Sequence, residues 1–147
     1  MRIDSYHGPV NEAFAAQVAT LAQKDPTTVQ AIDVARALRS NLVACLWYEN
    51  GVQKLEAVAA MQCIESLTGE KLGRITEVYA SAMVSPDQVT ELIAFLMQQG
   101  VRWGAREIHV DGDACVHGVD LTALQLLYAH ISKRDQDATS LAPKYPM

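Results

Sequence analysis

The sequence has little of what nucleic-acid-binding or membrane-spanning proteins require. Its 147 residues include only 12 lysines and arginines against 17 acidic residues, a net charge of −5, with no dense basic cluster. No apolar run approaches the ~20 residues that cross a bilayer, and no basic-then-apolar leader opens the chain. We therefore expect a soluble, cytoplasmic protein that binds neither nucleic acid nor membrane.

Cysteine is also scarce. Cys45, Cys63 and Cys115 show no close-paired spacing, and the first two lie inside apolar runs. A free cysteine in such a run usually packs as a small hydrophobic residue, and a reducing compartment keeps it free. We expect neither a structural disulfide nor a metal site of the CxxC type.

The hydrophobic content is high enough for a substantial core. At 50% hydrophobic residues, the chain is typical of one globular domain, which we place at 1–134. The tail at 135–147 has no periodicity and contains two prolines. A segment of this kind is ordered only where something holds it, so we predict that it docks on this chain or on a neighbour.

Hydrophobic periodicity divides the chain into predicted elements. Strands are predicted at 2–6, 41–50, 54–66, 74–83 and 106–110, and helices at 9–23, 26–40, 85–104 and 119–132. The three middle strands are joined by tight turns, one of them at Asn50-Gly51, which indicates an antiparallel meander. The strand–helix–strand unit over 74–111 requires parallel pairing. The predicted class is therefore α+β (mixed α/β), with a mixed sheet flanked by helices.

One stretch, "IHVDGDACVHG" at 108–118, concentrates side chains that can bind a metal or move a proton. A strand has a period of two, so His109 and Asp111 share the face opposite Ile108. The Asp-Gly-Asp sequence at 111–113 then predicts a turn, which takes the later residues out of line. We therefore expect no metal centre. The stretch is a candidate rim of a cleft, formed by His109, Asp111, Asp113 and His117.

The segments "RITEVYASAM", "SPDQVTELIAFLMQQGVRWGA" and "REIHVDGD" follow one another as strand, long helix and strand. This unit resembles the centre of the GNAT (Gcn5-related N-acetyltransferase) superfamily, in which the sheet splays open beside the last strand. The resemblance covers about residues 27–131. It implies a GNAT-like central sheet of about five to six strands with helices on both faces, and metal-free transfer of an acetyl group from acetyl-CoA to an amine.

The sequence departs from the family at the loop before the long helix. The family signature there is Q/R-x-x-G-x-G/A, whose backbone amides hold the pyrophosphate of CoA; here the segment is "ASAMVSPDQVTE", without glycine. Ser85 and Gln88 have the spacing of a capping box, Pro86 removes one N–H donor, and Asp87 adds a negative charge. If CoA binds at all, the resemblance places it on Met83, Val84, Ser85, Asp87 and Gln88.

The resemblance also suggests two catalytic residues. Glu77 matches the general base of the family, and Tyr128 matches the acid that protonates the departing thiolate. The residues themselves favour a plainer interpretation. Glu77 alternates with apolar residues as a carboxylate on the solvated face of a strand does, and Tyr128 lies within the apolar run "LQLLYAHI", typical of a core residue.

Two hypotheses of function follow, besides the plain possibility of an unrelated α+β domain. The first is a GNAT-like domain that has lost the acetyl-CoA loop and needs no cofactor. It acts as a non-catalytic protein-binding or assembly subunit, whose partner is another protein or a second copy of itself. The alternative is an acetyl-CoA-dependent N-acetyltransferase with a non-standard CoA site. Binding of acetyl-CoA distinguishes the two.

Overall fold

The structure is a computed structural model that describes residues 1–6, 11–23, 33, 34, 36, 41–50 and 52–111. The elements with complete bounds are, in chain order, β1 (Arg2–Ser5), α1 (Glu12–Leu21), β2 (Asn41–Asn50), β3 (Val52–Glu65), β4 (Lys71–Ala80), α2 (Pro86–Trp103) and β5 (Glu107–Val110). Residues 33, 34 and 36 are helical, within the predicted second helix. The helix predicted at 119–132 and the tail at 135–147 lie outside the described residues.

The described strands form one five-stranded sheet in the order β1-β2-β3-β4-β5. The first four strands pair antiparallel with their neighbours, and β5 pairs parallel with β4. The parallel pair is possible because α2 carries the chain from one end of the sheet back to the other. The predicted mixed sheet and α+β class are confirmed. None of the helices in the described ranges is long and apolar enough to cross a membrane.

Each face of the sheet packs against a helix because the strand side chains alternate. Leu46 belongs to the core under α2, while its neighbour Cys45 belongs to the core under α1. The α2 side is the larger core and is centred on fully buried residues: Met61, Ile75, Leu92, Leu96, Met97 and Ile108. On the α1 side, the rings of Tyr6 and Phe14 stack with their centroids 4.0 Å apart. The expectation of helices on both faces is therefore confirmed.

Helix α1 begins later than its apolar pattern alone suggested. Asn11 is extended, and its side chain accepts a hydrogen bond of 2.8 Å from the backbone N–H of Phe14. This is an N-cap, and it fixes the first helical residue at Glu12. The predicted start near Pro9 overlooked Asn11 as a cap.

Strand β4, in contrast, begins earlier than predicted. The turn after β3 is closed by two hydrogen bonds, from the Ser66 N–H to the Glu70 carbonyl at 2.8 Å and from the Gly69 N–H to the Ser66 carbonyl at 3.0 Å. Gly69 takes a φ of +86° there. After this tight turn the strand begins at Lys71, three residues before the predicted start of the strand at 74.

Both ends of α2 are confirmed. Ser85 and Gln88 form the predicted capping box with Pro86 in the first turn, and Gly104 ends the helix with a φ of +105°. The Gly104 N–H donates to the carbonyl of Val101 at 2.9 Å. A residue in the left-handed conformation commonly ends a helix. Glycine is favoured there because the Cβ of any other residue would come too close to the backbone.

We predict that Gly104→Ala lowers the free energy of unfolding by about 1–2 kcal/mol, the cost of a left-handed L-residue. The added Cβ would also lie 3.3 Å from Cδ of Lys71. Gly104→Asn should recover part of the loss, since asparagine tolerates this conformation better. Urea denaturation of the three proteins measures the differences. Equal stability of the alanine variant and the original would contradict the left-handed helix ending.

Candidate functional site

The candidate site lies where β4 and β5 stop pairing. The register between these strands runs from Leu72 opposite Glu107 to Ile75 opposite Val110. Within the described residues, the last backbone link is the Asp111 N–H to the Ile75 carbonyl, at 3.0 Å. Strand β4 continues to Ala80, five residues further. In the part of the chain that the structure describes, no strand pairs with this stretch on the β5 side.

A β-bulge marks the point where the two strands stop pairing. Opposite β3, Ala60 pairs with Glu77 and Met61 pairs with Ile75, so Thr76 is an extra residue in β4. A bulge bends its strand and increases the local twist. Pairing with β5 ends at the residue immediately before the bulge, and none of the described strands pairs with the rest of β4 on that side.

Glu77 and Tyr79 lie on the α1 face of this free stretch. Glu77 is exposed, as its alternation with apolar residues predicted, and its Oε1 accepts a hydrogen bond of 3.3 Å from the Tyr79 hydroxyl. Burial raises the pKa of the Tyr79 phenol above its usual value, and the charge and hydrogen bond of Glu77 raise that pKa further. The pair presents a carboxylate beside an aromatic ring at the open edge.

A buried carboxylate lies at the end of β4. Glu56 is only 4% exposed and is the extra residue of a second bulge, since Leu46 pairs with Ala57 and Trp47 with Leu55. The Ser81 hydroxyl donates to Oε2 of Glu56, and the Ser81 N–H donates to the Glu56 carbonyl at 2.8 Å. These two bonds fix the start of the loop that leads into α2.

Two further contacts satisfy the groups around this bulge. The Lys54 ammonium lies 3.5 Å from Oε1 of Glu56, so the carboxylate has a cation on one oxygen and a hydroxyl on the other. The N–H of Leu55 donates to the side chain of Gln17 on α1, at 2.8 Å. A buried charge requires such partners, because an unpaired one would cost several kcal/mol.

The backbone donors at the start of α2 are largely used within the protein. The Ser85 N–H donates to Oε1 of Gln88 at 2.9 Å, and the Gln88 N–H donates to Oγ of Ser85 at 3.2 Å. The Val84 N–H donates to the Ser81 carbonyl at 3.1 Å. Pro86 has no N–H, and Asp87 places an exposed carboxylate in the first turn. The segment offers an anion few donors and one negative charge.

The residues predicted to contact CoA are contiguous, in the loop and the first turn of α2. Val84 packs against the core under α2, whereas Met83 is 80% exposed. Oε1 of Gln88 is taken by the capping box, and its Nε2 lies 3.4 Å from Sδ of Met1. The structure thus brings these residues to one place, near the end of the open β4 edge.

The rim predicted on β5 is partly within the described residues. Ile108 is buried and His109 exposed, as the period of two required. The His109 ring lies 3.1 Å from the carboxylate of Glu107. Asp111 accepts a hydrogen bond of 2.6 Å from Nε of Arg74, an ion pair that ties the end of β5 to β4.

Three predicted site residues, Asp113, His117 and Tyr128, lie outside the described residues. Within the described ranges, no group of three His, Cys, Asp or Glu side chains is close enough to hold a metal ion. Cys45 is a buried free thiol, whose pKa burial and the charge of Asp4 raise to about 12, and Cys63 is a half-buried free thiol.

Sequence reasoning missed Glu56 and Ser81. The signal for Glu56 was an acidic residue between apolar neighbours in "KLEAVAAMQCIES", a strand whose alternation is irregular. A bulge disrupts the period of two, and an irregular alternation around an acidic residue is what it produces. The partner of Glu56 was not predictable, because Ser81 is 25 residues away along the chain.

Comparison with known proteins identifies the fold. No family model and no curated protein sequence matches the chain. Several solved structures match the chain in fold. Glucosamine-6-phosphate N-acetyltransferase from Arabidopsis thaliana matches with a TM-score of 0.59 at 13% identity, covering 100% of this chain and 96% of that one. Ribosomal-protein-alanine N-acetyltransferase from Brucella melitensis biovar Abortus 2308 matches with a TM-score of 0.59 at 12% identity, covering 100% and 96%.

An aminoglycoside 6'-N-acetyltransferase from Acinetobacter haemolyticus matches as well, with a TM-score of 0.56 at 14% identity, covering 100% of this chain and 93% of that one. The chain therefore has a GNAT-like fold, as its element order indicated. At these identities the likeness concerns the fold, and the activity of this chain depends on its own site.

We predict that Ser81→Ala destabilises the protein by about 1–3 kcal/mol, because it leaves one oxygen of a buried carboxylate without its hydrogen bond. The matched control is Thr20→Ala on α1. It removes an exposed hydroxyl that bonds the Ala16 carbonyl at 2.9 Å and should change stability by less than ~0.5 kcal/mol. Thermal unfolding of both variants tests this; equal small effects would contradict a stabilising Glu56–Ser81 pair.

We also predict that Glu77→Gln lowers the pKa of Tyr79 towards the usual 10.0 without reaching it, because burial remains. Because the pKa of Tyr79 is higher in the folded than in the unfolded protein, the neutral phenol contributes fully to stability at pH values below the unfolded pKa. This contribution is lost as the pH rises through the folded pKa. Ultraviolet titration of the phenolate measures the shift, with Tyr79→Phe identifying its signal. An unchanged titration in Glu77→Gln would show that the two side chains do not interact.

Proposed function

We propose that this protein is a GNAT-fold domain that works without acetyl-CoA and acts by binding another protein, as a non-catalytic subunit of an assembly. The observation that carries the proposal is the capping box at the start of α2. The Ser85 and Gln88 amides are bonded to each other's side chains, and Pro86 has no amide to offer. In this position a pyrophosphate would need free donors.

Electrostatics supports the same conclusion. Asp87 stabilises α2 by ~0.3–1 kcal/mol through the helix dipole, but it would repel a diphosphate at the same place. Opening the capping box to free the amides would cost about a further 1 kcal/mol. Both features favour a stable helix start and oppose an anionic ligand.

Surface exposure supports a protein partner. Met83 beside the start of α2 is 80% exposed, and Met1, whose sulfur is 3.4 Å from Nε2 of Gln88, is exposed as well. Methionine is frequent at protein-binding surfaces because its side chain adapts to the partner. The free thiols of Cys45 and Cys63 are consistent with the cytoplasm as the place of action.

The alternative is an acetyl-CoA-dependent N-acetyltransferase with a non-standard CoA site. Two observations favour it: the open edge of β4 and the exposed Glu77 beside it, where a general base would have access to an amine. In this hypothesis Met83 to Gln88 hold the CoA and Tyr128 is the acid. Asp87 and the occupied amides count against it.

Acetyl-CoA binding decides between the two. We expect no rise in melting temperature with acetyl-CoA up to millimolar concentration. A ligand at about 100 times its dissociation constant would add about 2.7 kcal/mol of stability, which is easily measured. An acetyltransferase with the glycine loop is the positive control.

A clear upward shift that CoA abolishes by competition would overturn the proposal and establish a CoA site. In that case Asp87→Asn should raise the affinity, because it removes the charge that faces the phosphates, while Glu91→Gln, at an exposed position on α2, should leave it unchanged.

A further inference from the structure

Strand β1 lies at one end of the strand order in the described sheet. It pairs with β2 along one side, and no other described strand pairs with it. Arg2 and Asp4 are exposed, whereas Ile3 and Ser5 are half-buried. Proteins normally protect such an edge, because its outward N–H and C=O groups can pair with another extended chain.

The pairing with β2 shows which backbone groups of β1 point outward. Just beyond the strand, the Tyr6 N–H donates to the carbonyl of Val43 at 3.0 Å, so Tyr6 bonds towards β2. In an antiparallel ladder the bonding direction alternates from one residue to the next. The N–H and C=O groups of Arg2 and Asp4 therefore point towards β2. Those of Ile3 point to the outer edge.

These directions limit how a second copy of β1 can pair with the first. Two strands related by a two-fold axis run antiparallel, and outward-pointing groups must face each other. Among such registers, the greatest overlap of the strand with itself comes from centring on Ile3 or on Asp4. Centring on Asp4 places two carboxylates opposite each other. Centring on Ile3 places Arg2 of each copy opposite Asp4 of the other, so the charges select this register.

The charged groups that this register needs are accessible. Asp4 is exposed, with no Lys or Arg nitrogen of the described residues within ion-pair distance. Arg2 lies 3.3 Å from Glu49, and about half of each of these two side chains is exposed. A guanidinium has several N–H donors, so Arg2 can bond Glu49 and a second carboxylate together. Facing residues whose backbones are not bonded to each other bring their side chains closest, which strengthens this charge pairing.

The other face of β1 supplies apolar contact in the same register. Ile3 packs against the core under α2 and is half-buried. When two copies pair about this residue, their Ile3 side chains become neighbours. Met1 is 54% exposed, and its Sδ lies 3.4 Å from Nε2 of Gln88 on the α2 side. A second copy would therefore cover apolar surface next to the larger core, which favours association.

We propose that the protein forms a symmetric dimer in which the β1 strands of two copies pair antiparallel about Ile3 and join the two sheets into one. A two-fold interface uses the same surface on both copies, so that surface must complement itself. An edge protected by like charges repels its own copy, whereas Arg2 and Asp4 of β1 attract theirs. The inference goes beyond the proposed function and does not depend on it, since it holds whether or not acetyl-CoA binds.

Two charge variants test the register by sedimentation equilibrium, after circular dichroism has shown that each is folded. Asp4→Arg places arginines opposite each other in the dimer, and Arg2→Asp places aspartates opposite each other. Each variant alone should self-associate more weakly than the original protein by at least about ten-fold, because two attractive pairs become repulsive. An equal mixture of the two variants should associate again, because every arginine then faces an aspartate.

A matched variant and one further measurement locate the interface. Glu65→Arg, at an exposed position at the end of β3, makes the same change of net charge as Asp4→Arg and should leave the dissociation constant unchanged. Hydrogen exchange measured by NMR should show an Ile3 amide that becomes protected as the protein concentration rises. The Asp4 amide, which points towards β2, should be protected at low and high concentration alike.

Four outcomes would overturn the inference. They are a monomer at millimolar concentration, equal dissociation constants for the original protein and Asp4→Arg, no association in the mixture of variants, and protection of the Ile3 amide that does not depend on concentration. The last result would mean that another segment of the same chain covers the edge. The proposed function is tested separately by the binding of acetyl-CoA, so either can fail without the other.

Discussion

Side chains at the start of α2 bond the backbone N–H groups of the same helix, and the chemistry of the whole site depends on this constraint. A helix leaves four N–H groups without intrahelical partners at its N-terminus. These groups lie just beyond the end of β4, where they can bond either to a ligand or within the helix. Here Ser85 and Gln88 use them for the helix, and Asp87 adds a charge of the sign that stabilises it. Stability of the helix and affinity for an anion are alternatives at this position.

The two bulges have related effects on the same region. One extra residue in β3 places Glu56 in the interior, where it holds Ser81 and so the loop before α2. One extra residue in β4, Thr76, ends the pairing with β5. Together they leave a short stretch of β4 that is fixed at both ends and has no partner on one edge among the strands that the structure describes.

The local signals in the sequence were sufficient for most elements. Ser85, Pro86 and Gly104 fix the ends of α2 because caps act over three or four residues. The alternation of Ile108 and His109 predicted which side chains of β5 are buried and which are exposed, because this signal is also local in the sequence. The start of α1 at Asn11 and the start of β4 at Lys71 were misjudged, because one or two local hydrogen bonds decide which residue begins each element.

The sequence by itself determined the element order, the α+β class and the capping box, since each depends on residues that are neighbours along the chain. The end of β4–β5 pairing at Ile75 and the burial of Glu56 were decided by the tertiary structure. They depend on which strands meet and where an extra residue falls in the register, and these relations join residues such as Glu56 and Ser81 that are far apart in sequence. Local propensity carries no information about such pairings, because they arise only when the sheet assembles.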